Sequence, residues 1–179
     1  FDNNDRPGIL LSSAIKRYAD FFGVACGEKN VLFTNNDSAY ETAISLIQKG
    51  INIEAIIDNR EKVDSQLVYE VEKNNIKIFK GYTVTDSFGY KRINKISIKQ
   101  LSKDGQKVIG SRIILSCDCL GVSGGWTPAV HLFTQSGGKL KFREEDQVFI
   151  PNIYPSDQLS IGSCNGDFTL DEILINTPK

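Results

Sequence analysis

The chain has 179 residues but no methionine, one histidine, His131, and a formal net charge of only -1. Because a natural chain starts with methionine and this one opens at Phe1 on a polar, mid-loop stretch, the sequence reads as part of something longer. The longest apolar runs, such as RIILSCDCLGV from Arg112, fall far short of the roughly 20 residues a membrane-spanning helix needs. No charged-then-apolar signal segment opens the chain, so a cytoplasmic location is expected. With 21 basic against 22 acidic residues there is no surplus to hold a polyphosphate, and neither nucleic acid nor an anionic membrane is an expected partner. Four cysteines, Cys26, Cys117, Cys119 and Cys164, include no C-x-x-C pair. Alternation along a strand would put Cys117 and Cys119 on one face, poor geometry for a disulfide, so small buried cysteines are expected and no metal site. Internal repeats, low-complexity tracts and proline-rich linkers are also missing.

What remains is an ordinary globular composition, 40% hydrophobic and 24% charged, with enough chain for a large core. In ILLSSAIKRYADFFG the apolar residues from Ile9 to Phe22 recur at three- and four-residue spacings, which predicts an amphipathic helix ended by Gly23. NVLFT is a short apolar run typical of a buried parallel strand. A helix from about Ser38 to Gln48 follows, capped by Asp37 or Ser38 and stopped by Gly50. NIEAIID is a second strand ending in Asp58, and residues 64 to 74 read as another helix. Three alternating runs then span Ile76 to Ile114, KIFKGYTVTDS, YKRINKISIKQL and QKVIGSRIILSC, separated by FG and KDG turns. The chain returns through RIILSCDCLGV and ends with a strand, QLSIGSC, and a helix, TLDEILI. The predicted class is α/β, a Rossmann-like three-layer domain with a parallel sheet and an antiparallel β-meander, as in flavin and pyridine-nucleotide disulfide oxidoreductases.

The strand-turn-helix NVLFTNNDSAYETA has the layout of a dinucleotide site without its glycines. Aligned on Ala39 as the third position, Thr34 and Asn36 replace the glycines that bend the turn and admit pyrophosphate. Asn36 adds a side chain where phosphate would sit, Asp37 adds negative charge and a carboxylate able to cap the free amides, and Ser38 opens the helix. Asp58 stands where a ribose hydroxyl is held in such folds, yet an acidic residue in DNR also makes a plain turn. In GVSGGWTP, Gly124 and Gly125 can bring backbone to a ligand and Trp126 can stack on a ring, or the segment is a Gly-Gly turn with a packing indole. His131 has no identifiable nucleophile partner and reads as structural, so no catalytic residue is named.

Four stretches together, NNDRPGILLSSAIKRY, VLFTNNDSAYETA, LGVSGGWTPAVHLFTQSGGKLKF and IGSCNGDFTLDEIL, resemble the alpha subunit of heterotetrameric sarcosine oxidases. The resemblance implies a subunit that carries NAD, in a complex with beta, gamma and delta subunits that also holds FAD and FMN. That complex oxidatively demethylates sarcosine with folate as one-carbon acceptor. It further implies that residues 1–22 lead in from a preceding domain, residues 23–130 form a second Rossmann-like nucleotide-binding domain, and residues 131–179 return toward the first. On that reading Asn36, Asp37, Ser38 and Asp58 are a vestigial site, while Gly124, Gly125, Trp126, Gly162, Gly166 and Asp167 approach the NAD of the first domain. The isolated segment is then a scaffold without activity or bound cofactor. The alternative is a stand-alone ligand-binding or protein-interaction module.

Overall fold

The computed structural model describes residues 1–155 and 157–177, and the chain divides into two compact units, Phe1–Gly125 and Trp126–Lys179. The first unit runs β1 (Ile9–Leu11), α1 (Ser12–Phe22), β2 (Asn30–Thr34), α2 (Ser38–Gln48), β3 (Ile53–Asp58), α3 (Gln66–Lys73) and β4 (Lys77–Lys80). It continues with β5 (Tyr82–Phe88), β6 (Lys95–Leu101), β7 (Val108–Ser116) and β8 (Cys119–Ser123). Five strands form a parallel sheet in the order β1-β8-β2-β3-β4, and β5-β6-β7 form a separate antiparallel meander.

The central strands β2 and β8 carry no charged residue because both faces of the sheet are covered. Leu32, Ile56 and Cys119 point to a layer containing Ile15, Tyr40, Ala43, Leu46, Val68 and Val71 from the three helices. The alternate residues Val31, Ala55, Ile57 and Leu120 meet Val84, Ile96 and Ile98 of the meander. This is the predicted α/β, three-layer class. The end of α2 is equally local in origin: Gly50, at φ 72, lets its N–H reach Ile47 O at 2.9 Å and the Ile51 N–H reach Leu46 O at 3.0 Å.

Several boundaries differ from expectation. Ile9 and Leu10 do not begin a helix; they form the edge strand β1, paired with Leu120 and Gly121, because extended backbone there finds a parallel partner from far along the chain. The run KIFKGYTVTDS is two strands, broken at Gly81 with φ 74, so that β4 completes the parallel sheet and β5 starts the meander. RIILSCDCLGV likewise divides, with Cys117 on the meander side and Cys119 on the helix side of the core. The two cysteines are therefore not on one face; both are free and buried as expected, whereas Cys26 and Cys164, also free, lie outside the sheet strands and are only half-buried. Burial pushes both thiols up to about 12.

The second unit contains α4 (His131–Gln135), an antiparallel hairpin of β9 (Lys139–Arg143) and β10 (Val148–Ile153), a short 3-10 turn at Gly162–Cys164, and α5 (Leu170–Asn176). QLSIGSC is thus not a strand: Gly162 takes φ 68 and turns the chain. Thr169 and Glu172 form a reciprocal capping box at the start of α5. Among the described residues no helix is long and apolar enough to cross a membrane.

Helix α1 crosses β8 at Gly121, where an added Cβ would lie 2.6 Å from Leu32 Cδ2 and 2.9 Å from Ile15 Cδ1, both side chains being fully enclosed. Neither can retreat without moving a packed neighbour. Gly121→Val is expected to lower stability by about 2–3 kcal/mol, as overpacking of a dense core does. Urea unfolding of the two proteins checks this, and an unchanged midpoint would mean α1 is not seated on β8.

Candidate functional site at the carboxyl ends of the parallel strands

In open α/β sheets ligands bind beyond the carboxyl ends of the strands, where helix N-termini offer free amides. Here β2, β3 and β8 end side by side, with Thr34 paired to Asp58 on one side and to Ser123 on the other. No residue from Thr34 to Ala39 needs a positive φ, so the turn follows a path open to ordinary side chains.

The turn is closed by its own polar groups. Thr34 Oγ1 accepts the Asn36 N–H at 3.0 Å, and Asn36 Oδ1 accepts the Ser38 N–H at 3.1 Å and its hydroxyl at 2.6 Å. Asn36 Nδ2 donates to Ser123 O and Ser123 Oγ, both at 3.2 Å, and the Ser38 and Ser123 hydroxyls meet at 3.0 Å. Asn35 Nδ2 donates to Gly124 O at 3.2 Å, so Gly124 belongs to the same knot, and Gly125 beside it has φ 102. Asp37 does not cap the helix as expected. Its backbone is already helical, at φ -78 and ψ -17, whereas a capping side chain needs an extended residue, and it makes no cap hydrogen bond.

Asp37 turns instead to Arg60, whose Nη2 lies 2.8 Å from Asp37 Oδ1 as an ion pair while donating to Asp58 Oδ2 at 2.8 Å. Asp58 is fully buried and accepts four hydrogen bonds: Arg60 Nη2, Arg60 Nε at 3.1 Å, the Arg60 N–H at 2.9 Å and the Tyr40 hydroxyl at 2.9 Å. A carboxylate has about four lone-pair positions, so none is left for a ribose hydroxyl. Burial, the Asp58 charge and its hydrogen bond push the Tyr40 phenol far up, which keeps it a donor. Burial would lower the Arg60 guanidinium, but Asp58 and Asp37 outweigh it and hold Arg60 above its ordinary value. Two amides that a phosphate would meet at this turn, those of Asn36 and Ser38, are also taken. The residues present do not fit a dinucleotide at this turn.

Tyr40, Arg60 and Ser123 were not singled out from sequence. In the sequence Arg60, two residues after Asp58, reads only as part of a turn. Ser123 lies 87 residues from Asn36, and no local signal connects them.

In the second unit Trp126 is 57% exposed, with its ring centroid 6.3 Å from that of Phe168. Asp167 is buried and accepts from Asn165 Nδ2 at 3.0 Å and Asn176 Nδ2 at 2.8 Å. Gly166, at φ 84, presents its carbonyl to Arg143 Nη2 at 3.1 Å, while Gly162 accepts the Asp167 N–H at 3.1 Å. His131 is exposed at the start of α4. Among the described residues no group of histidine, cysteine and acidic side chains is placed to hold a metal.

No protein-family model matches the chain. The sarcosine oxidase subunit alpha of Corynebacterium sp. (strain P-1) is 32% identical over 170 residues, 94% of this chain and 17% of that one. The chain thus resembles sarcosine oxidase alpha subunits over nearly its whole length while spanning about a sixth of the relative it matches. Among solved structures, the HOCl-induced flavoprotein disulfide reductase RclA from Escherichia coli aligns with a TM-score of 0.65 at 12% identity, over 97% of this chain and 38% of that one. The thioredoxin reductase of T. acidophilum aligns with a TM-score of 0.60 at 18% identity, over 89% and 53%. These likenesses show the fold, that of flavin and pyridine-nucleotide disulfide oxidoreductases.

Removing the Arg60 side chain leaves Asp58 buried and short of two of its four donors, the kind of uncompensated charge that costs about 3–5 kcal/mol. Because the Arg60 side chain is 33% exposed and its backbone N–H survives substitution, Arg60→Ala is expected at the low end, about 3 kcal/mol. Adding Asp58→Asn should restore a substantial part of the loss. A double-mutant cycle by urea unfolding measures both, and simple additivity would show that the pair is not coupled.

Proposed function

We propose that the chain is a segment of a sarcosine oxidase alpha-like oxidoreductase subunit, in which its Rossmann-like unit is a scaffold beside an NAD site rather than a dinucleotide site of its own. The observation that carries this is the knot of Asn36, Ser38 and Ser123, which uses the phosphate-facing groups of the turn on one another. The filled coordination of Asp58 supports the same reading at the ribose position. NAD then belongs to the longer subunit, where Gly124, Gly125, Trp126, Gly162, Gly166 and Asp167 are the residues of this chain offered to it. FAD, FMN and the beta, gamma and delta subunits belong to the whole complex, as do sarcosine and the folate that accepts its one-carbon unit. The exposed indole of Trp126 is the group best suited to a planar ring.

Calorimetric titration of the 179-residue chain with NAD is expected to show no binding tighter than about millimolar, a level worth roughly 4 kcal/mol. Asn36→Gly combined with Ser123→Ala frees the Ser38 amide and clears the phosphate position, and should gain about ten-fold or more. Micromolar binding by the parent chain, with a ribose on Asp58 in a co-crystal, would establish instead a rebuilt and working site.

The chain alone is also expected to release no peroxide with sarcosine, since the groups of its dinucleotide-like turn are engaged with one another. Peroxide above the no-enzyme blank in a coupled peroxidase assay would overturn the scaffold reading.

A further inference from the structure

The near-neutral total hides a strong segregation of charge. Seven of the 21 basic residues but only two of the 22 acidic ones fall between Tyr82 and Ser116, which gives the meander stretch +5 and leaves -6 on the remainder. Cross-strand register shows where these cations lie. One row of the meander holds Phe88, Lys95 and Ser116, and the next holds Asp86, Ser97 and Ile114. The alternate rows, with Ile96 beside Leu115 and Ile98 beside Ile113, bear on the core. Lys95, Ile114 and Phe88 therefore share the outer face, and Arg112 reaches across it to lie 5.8 Å above the Phe88 ring.

A depression of about 440 Å³ on this face is lined by Phe88, Tyr90, Asn94, Lys95, Arg112 and Ile114. Tyr90 is 94% exposed and Ile114 is 48% exposed. Among the described residues, none of Lys91, Lys95, Lys99, Lys103, Lys107 and Arg112 has an acidic partner within ion-pair distance. An apolar floor flanked by Lys95 and Arg112 is complementary to an apolar or aromatic side chain flanked by carboxylates.

We propose that the outer face of the meander is a docking surface for an acidic segment of a partner protein, one that places an aromatic or aliphatic side chain between Tyr90 and Ile114 and its carboxylates against Lys95 and Arg112. A nucleic acid fits less well: the stacking surface has one free ring, since Phe88 lies under Arg112, and a phosphate tract needs a longer run of cations. A bilayer fits less well because the apolar floor is a depression, with Phe88 half-buried beside Lys95 and Arg112, and not an apolar helix face that inserts. The inference is independent of which complex the chain serves.

Fluorescence anisotropy with a labelled synthetic peptide, Glu-Glu-Phe-Glu-Phe-Glu-Glu, tests the proposal on the full 179-residue chain. Saturable binding is expected with a dissociation constant on the order of 10–100 µM at low salt, weakening about ten-fold or more at 0.5 M salt. Lys95→Glu with Arg112→Glu should weaken it about ten-fold or more, and so should replacing every Glu of the peptide by Gln. Ile114→Ser should cost about three-fold through the apolar floor alone. Lys95→Gln with Arg112→Gln, read beside a thermal melt, separates lost charge from lost fold. No saturable binding up to millimolar peptide, binding indifferent to these substitutions, or tighter binding to oligothymidylate or to phosphatidylserine vesicles would overturn the proposal.

Discussion

A parallel sheet buried on both faces is the constraint from which the rest of the first unit follows. Three crossover helices cover one face of the sheet with Ile15, Leu46 and Val71, and they cannot also cover the other. The chain meets that need by leaving the sheet at Gly81, laying down three antiparallel strands, and re-entering at Cys119 as β8. Re-entry is next to β2, in parallel register from Asn30–Cys119 to Thr34–Ser123. The side chain that closes the turn after β2 is thus delivered by the requirement to cover the back of the sheet.

That delivery changes what the strand ends need. Helix N-termini and strand ends leave polar groups that must find partners, and each left unsatisfied in a buried place costs about 1–3 kcal/mol. In a dinucleotide site the ligand supplies them. Here Asn36 answers Ser38 and Ser123, and Arg60 answers Asp58, so the edge is satisfied by its own side chains. A pyrophosphate would have to break bonds worth about 1 kcal/mol each before making its own, and would arrive beside the carboxylate of Asp37. The glycine-free turn and the buried acid are two parts of one arrangement.

Local signals were legible, and non-local ones were not. NVLFT and SAYETAISLIQ announce β2 and α2 by apolar continuity and helical spacing, and these elements stand where the pattern put them. β1 escaped because three residues carry no period of their own; only pairing with β8, more than a hundred residues on, makes them a strand. Gly81 escaped because alternation runs straight through KIFKGYTVTDS, although a glycine inside such a run is a known sign of a break. Cys117 and Cys119 ended in different layers because the strand continuity assumed between them is interrupted at Asp118, whose carboxylate accepts the N–H groups of Glu28 and Lys29. At the site, Asn36 and Asp58 were read for the ligand they lack. Their partners Ser123 and Arg60 emerge only once the strands are assembled.

The same architecture explains why charge collects on the meander. A parallel strand between two layers has no wet face, and β2 and β8 accordingly contain no charged residue. The helical layer has charges, but several pair locally, Lys16 and Lys49 with Asp20 and Lys80 with Glu72. An antiparallel sheet with one face on the core keeps the other in water, and along β6 the alternation of Lys95, Ile96, Ser97, Ile98 and Lys99 sets cations outward by the same period that sets isoleucines inward. Amphipathic alternation alone would accept either sign at the outward positions. Alternation therefore does not specify that the outward rows hold Lys95, Lys99 and Arg112 against Asp86, and like charges on one sheet face repel each other at a cost in stability. A cost of that kind, kept beside an open apolar depression, is offset when an acidic surface settles on it.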